Sequence, residues 1–166
     1  MLCPSCSYDN IDGVDQCEQC GTSLMQEDTN PENRMDSNHI RIITDPIRKA
    51  NLQEVAIVHP TTTIYEALKK MKDLSQDCAL VVDRGEVAGI FTERDVLKKV
   101  KTPEMDLEEI EIHLLMTILP EVLDENDSIS FAMNKMAMGN FRHVPVKKTN
   151  GTFTVFSVKD ALNYLF

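Results

Sequence analysis

The chain has 166 residues and 42% apolar content, enough for one ordinary globular domain and a small appendage. Its net charge of −10 is unevenly placed: residues 1–33 hold seven acids and no Lys or Arg, while the remainder holds 20 acids and 17 bases. This composition lacks the run of about 18 apolar residues that a spanning helix needs, argues against nucleic acid as a partner of the acidic head, and, with no basic stretch at MLCPSC, predicts a cytoplasmic protein rather than a secreted one.

Four of the five cysteines open the chain as C3-P-S-C6 and C17-E-Q-C20-G. Two CxxC pairs supply four thiolates from two tight turns, which suits a tetrahedral metal with sulfur bonds of about 2.3 Å. Pro4 and Gly21 fit such turns, and DNIDG at 9–13 supplies turn residues between them. Disulfides fit poorly with a cytosolic chain, and a redox CxxC normally sits beside a βαβ unit. Cys3, Cys6, Cys17 and Cys20 are therefore expected to hold one structural metal, zinc or alternatively iron. The segment is too small to bury its own core, and metal binding by zinc-finger precedent brings about 10–16 kcal/mol. The pattern resembles a zinc ribbon or a rubredoxin-like knuckle over residues 1–25. Residues 26–40 have few large apolar groups and many turn formers, and read as a linker.

Beyond residue 40 the chain repeats itself. Adding 65 to a position returns a similar residue: Thr63 and Ser128, Ile64 and Ile129, Ala67 and Ala132, Met71 and Met136, Val81 and Val146, Thr92 and Ser157, Asp95 and Asp160. Such an offset without gaps indicates two copies of one unit. The first copy spans 41–104 and the second 105–166. Each begins with a short strand (55–58; 121–123). A helix comes next, with Ile64, Ala67, Leu68, Met71 and Leu74 on one face in the first copy, and Thr63 or Ser128 as N-cap. A strand at 79–83 or 144–148, a turn at RGE or NG, and a strand at 87–91 or 153–156 continue the unit. A last helix starts at Thr92 or Ser157. The predicted fold is mixed α/β, built from two β-α-β-β-α units.

That tandem unit, with RHVPV at 142–146 and GIFTERD at 89–95, resembles a pair of cystathionine β-synthase (CBS) domains over residues 41–166. The resemblance implies two units packed about a pseudo-two-fold axis, with sheets facing across two clefts. It implies an adenosine-containing ligand there, a regulatory role, and pairing into a homodimer. A zinc ribbon joined to such a pair also resembles a known type of small prokaryotic protein.

The segments T92-E-R-D95 and S157-V-K-D160 have two readings. Each fits a capping box, in which the acid at the third helical position reaches back to the cap. Each also places a hydroxyl, free amide hydrogens and a carboxylate where a nucleotide could meet them. In CBS pairs this [ST]-x-x-D element is associated with ribose and phosphate contacts. The resemblance therefore implies Thr92, Asp95, Ser157 and Asp160 as ligand residues, with Arg142 and His143 against the phosphates. Arg142 favours AMP, ADP or ATP over S-adenosylmethionine. The first copy has Asp77 and Cys78 in place of Arg142 and His143. Gly89 lets a ligand or backbone approach closely, and Thr154 departs from that glycine, so one good site is expected rather than two. Cys78 reads as a small buried hydrophobe.

The expected function is a ligand-sensing regulatory module whose ribbon contacts an unknown protein partner. A rubredoxin-like iron carrier and an adaptor with vestigial clefts are the alternatives. His39, His59, His113 and His143 pair with no nucleophile motif, so no catalysis is expected.

Overall fold

The computed structural model describes residues 2–3, 5–11, 14–24, 44–100 and 105–165. The linker expected at 26–40, and Asp12 and Gly13 of the expected turn, lie outside them. The chain divides into two compact units interleaved along the sequence. One comprises Met1–Leu52, Leu123–Val144 and Phe156–Phe166; the other comprises Gln53–Val122 and Pro145–Val155.

In the second of these units a four-stranded sheet has the order β1-β2-β3-β4, formed by Ala56–Val58, Cys78–Asp83, Glu86–Thr92 and Thr117–Ile118. β1 runs parallel to β2, which leaves room for a crossover helix between them, and the other pairs are antiparallel. That crossover is α1, Ile64–Asp73. Thr63 caps it as expected: its hydroxyl accepts from Glu66 N at 3.2 Å, and Glu66 Oε2 accepts from Thr63 N at 3.3 Å. β2 and β3 meet at Arg84-Gly85, both at positive φ (50° and 81°), as a two-residue hairpin demands. β3 runs directly into α2, Glu93–Lys99.

Side chains in β2 alternate between two faces. Ala79 and Val81 join Ala56, Val58, Phe91 and the α1 residues Ile64, Ala67 and Met71 in one buried cluster. Cys78 and Leu80 turn the other way and join Val55, Val87, Ile90 and Val155. Burying one such aliphatic side chain stabilises a fold by about 1.5–3 kcal/mol. Cys78 is thus core filling, as the sequence suggested. β4 was not expected. It exists because Gly89, paired with Ile118, has no side chain: a Cβ built there would lie 2.3 Å from Met116 Sδ and 2.9 Å from the Thr117 carbonyl. The close approach predicted at Gly89 is made by the chain's own backbone and by Met116.

The second repeat supplies β5 (Leu123–Asp124), α3 (Ile129–Gly139), β6 (His143–Lys147), β7 (Phe153–Ser157) and α4 (Val158–Leu165), with sheet order β5-β6-β7. Its first strand lies two residues later than the expected EVL. The Asn150-Gly151 turn forms, with Gly151 at φ 83°. Ser128 caps α3 by accepting from Phe131 N at 3.1 Å. Ile129 N donates to the Asp45 carbonyl and Ile47 N to the Asp127 carbonyl, so residues 45–47 bind back over the start of α3. No helix among the described residues is long and apolar enough to cross a membrane.

Candidate functional site

The start of α2 and the start of α4 are built by the same local physics. Each continues a strand without a loop, and in each the carbonyl of the residue just before the neighbouring strand takes the first amide hydrogen of the helix. Glu93 N donates to the Asp77 carbonyl at 3.1 Å, and Val158 N donates to the Arg142 carbonyl at 3.0 Å. Those partners stand 65 positions apart, so the duplication extends to this bond.

At the first start, the Thr92 amide and hydroxyl both donate to Asp95 Oδ2 at 3.0 Å. Asp95 is 7% exposed. Its other oxygen, Oδ1, pairs with Lys99 Nζ at 2.8 Å, and Lys99 also donates to the Leu115 carbonyl at 2.6 Å. Both carboxylate oxygens are therefore engaged within the chain. Lys99 was not singled out in the sequence, although its position one turn after Asp95 is readable there.

At the second start, Ser157 N and Ser157 Oγ donate to Asp160 Oδ2 at 2.8 and 2.6 Å, and Asp160 N donates to Ser157 Oγ at 3.2 Å. Asp160 Oδ1 has no partner among the described residues. The position matching Lys99 is Tyr164, whose hydroxyl instead donates to Asp45 Oδ2. The capping reading thus holds in both copies, but only the second leaves a carboxylate oxygen uncommitted. Thr154, the departure that counted against this copy, is buried with its hydroxyl on the Gln53 carbonyl at 3.1 Å. Its role is structural.

Arg142 is exposed and His143, the first residue of β6, is half-buried. Arg142 also lines a cavity of about 290 Å³ between α3 and α4, walled by Met133, Met136, Phe141 and Leu162 among others.

The cysteine head forms two copies of one knuckle. Cys3 N donates to the Tyr8 carbonyl and Cys17 N to the Thr22 carbonyl, both at 2.8 Å. Ser7 N donates back to the Cys3 carbonyl at 2.9 Å, and Gly21 N to the Cys17 carbonyl at 2.8 Å. Ser7 and Gly21 share a left-handed conformation, φ 59° and 71°. Adding 14 to each first-knuckle position gives the second, a repeat too short to stand out in the sequence.

All four sulfurs lie within 4.8 Å of one another, with Cys3–Cys20 and Cys6–Cys17 at 3.6 Å and no disulfide. A tetrahedron with bonds of about 2.3 Å has sulfurs about 3.8 Å apart. The donor set therefore fits a four-thiolate metal. Ser5 N donates to Cys3 Sγ at 3.4 Å and Asn10 Nδ2 to Cys17 Sγ at 3.5 Å, the usual outer support for bound thiolates. Burial pushes the Cys3 and Cys6 thiols up. Burial acts the same way on Cys17, but the Cys20 and Gln19 amides and the Asn10 side chain outweigh it and lower Cys17 to about 6. Asn10, buried between the knuckles, also accepts from Glu18 N at 3.0 Å. It is a supporting residue not foreseen in the sequence; a polar residue so near two CxxC pairs was its only signal.

Comparison with known proteins agrees with the fold. Residues 47–102 match the family model described as CBS domain. CBS domain-containing protein CBSCBSPB1 of Arabidopsis thaliana is 33% identical over 118 residues, 70% of this chain. The match spans 22% of that relative's length. The crystal structure of a CBS-domain containing protein from Agrobacterium tumefaciens superimposes with TM-score 0.60 at 30% identity, over 69% of this chain and 91% of that one. A CBS domain protein from Pyrobaculum aerophilum, complexed with AMP, shares the fold with TM-score 0.59 at 23% identity, over 69% and 88% of the two chains.

Proposed function

The chain belongs to the CBS-domain family, and from that premise we propose that it is a regulatory module binding an adenosine-containing ligand at the start of α4. AMP, ADP or ATP is the favoured ligand over S-adenosylmethionine. The observation that carries this reading is the uncommitted Asp160 Oδ1 beside a hydroxyl-bearing helix start. A carboxylate oxygen there accepts from a ribose hydroxyl, while the Ser157 hydroxyl exchanges its bond to Asp160 for one to a phosphate as the ligand enters. Arg142, whose carbonyl is already tied to Val158, offers its guanidinium fork to the same phosphate, and His143 adds a second basic group. The AMP bound by the Pyrobaculum aerophilum protein supports the ligand class.

Thr92 and Asp95 carry the same sequence element, but Lys99 already neutralises the acid. We assign them the weaker site or none. The four cysteines hold one structural metal, zinc by preference, and the module acts by binding rather than by catalysis, as a homodimer contacting a further protein.

Thermal denaturation with AMP, ADP, ATP and S-adenosylmethionine tests the ligand reading. Ligand at 100 times its dissociation constant stabilises the native state by about 2.7 kcal/mol, so a clear rise in melting temperature with at least one adenine nucleotide is expected. No rise with any of the four at millimolar concentration sinks the ligand reading. Native mass spectrometry of gently purified protein reports metal mass and subunit count; iron at full occupancy would favour the electron-carrier alternative.

A further inference from the structure

Both metal knuckles are wired to one helix of the second repeat. In the first knuckle, the Ser5 amide donates to Cys3 Sγ while its carbonyl accepts from Ser128 Oγ at 2.5 Å. Ser128 is the N-cap of α3. In the second knuckle, Thr22 Oγ1 lies 3.1 Å from Cys20 Sγ and accepts from Asn134 Nδ2 at 2.5 Å. Gly21 leaves room for Met138, whose terminal methyl lies 3.4 Å from where a Cβ would stand. Asn134 and Met138 are four residues apart and share one face of α3. Each knuckle therefore has one residue that touches a ligand sulfur on one side and α3 on the other.

We propose that the cysteine head is an intramolecular clamp on α3, so that metal binding and the order of that helix are coupled. The proposal rests on the metal reading of the four cysteines. Without a cation the head has little core of its own; Leu24 is buried, but Leu2 and Ile11 are exposed. A metal fixes both knuckles, and with them the Ser5 carbonyl and the Thr22 hydroxyl that α3 binds. Coupling is reciprocal, so α3 in turn raises metal affinity. A neighbouring face of the helix, Met133, Met136 and Ala137, walls the cavity that Arg142 and α4 complete. Metal state is thereby carried to the side of α3 next to the proposed ligand residues. The head's first partner is this chain itself.

Hydrogen exchange read by mass spectrometry on the full-length protein, loaded with zinc(II) or stripped by chelator under reducing conditions, tests the clamp. Zinc should slow exchange across 129–139 by on the order of tenfold and leave its repeat counterpart, 64–73, unchanged. Two variants separate contact from folding. Asn134→Ala removes one link and substitutes a better helix former. Ser128→Asp keeps an acceptor for the Phe131 amide but has no donor for Ser5. Each should lose most of the zinc-dependent protection and weaken zinc in competition with an indicator chelator by a few-fold. One zinc bound per chain with no change in 129–139, or full protection retained in both variants, overturns the clamp and leaves the metal reading standing. No zinc uptake by the wild-type protein overturns both.

Discussion

The starts of α2 and α4 are copies that have diverged at one distance from the cap. Both carry a hydroxyl residue, an acid three positions on, and the same bond from the first helical amide to the residue just before the neighbouring strand. One turn further, the first copy has Lys99 on Asp95 and the second has Tyr164 turned to Asp45. A motif shared by two segments therefore does not make them equal; the residue one turn beyond the acid decides whether the second carboxylate oxygen is engaged within the chain.

Exchanging these features breaks or sharpens that contrast. Asp160→Ala carries the largest expected effect, since it deletes the charge-assisted bonds to a ribose proposed above: nucleotide affinity should fall about 10–100-fold by calorimetry. An unchanged affinity would reduce Asp160 to a cap. Tyr164→Lys installs the missing lysine, and an affinity loss of roughly tenfold is expected as the new ammonium takes the free oxygen. Asp95→Asn should leave nucleotide affinity within about twofold while lowering stability by about 1–2 kcal/mol in urea melts, because a buried cap partner is weakened. Lys99→Met is the mildest change, costing about 0.5–1 kcal/mol of stability. Its informative readout is stoichiometry: release of Asp95 Oδ1 should add a second, weaker nucleotide site, and no added site would mean that Lys99 is not what silences the first copy.

The periodic parts of this molecule were legible in its sequence. Ile64, Ala67 and Met71 bury on one helix face, and Thr63 and Ser128 cap where turn chemistry placed them. The two CxxC pairs converge as their spacing implied. Contacts between distant segments were not legible, because neither periodicity nor propensity encodes them. Met116 fills the space over Gly89, and Thr154 binds the Gln53 carbonyl. The sequence alone offered Gly89 as a point of close approach for a ligand or backbone, and Thr154 as the departure from it. The second knuckle's Gly21 announced its positive φ, whereas Ser7 holds the same conformation without a glycine to mark it. The head's approach to α3 rests on Ser5, Thr22, Ser128 and Asn134, residues whose types are common on any surface.

The interleaving of the two compact units has a practical meaning. Residues 145–155 belong with the body built mainly from the first repeat, and Val155 sits in the cluster around Leu80. Cutting the gene at the boundary between repeats would therefore not yield two autonomous halves. The amino-terminal fragment would leave the Leu80 face uncovered and prone to clumping, and the carboxy-terminal fragment would lack the Asp45–Ile47 segment that lies over the beginning of α3. Mixing the two fragments should restore what neither has alone, which makes complementation, rather than truncation, the way to dissect this protein.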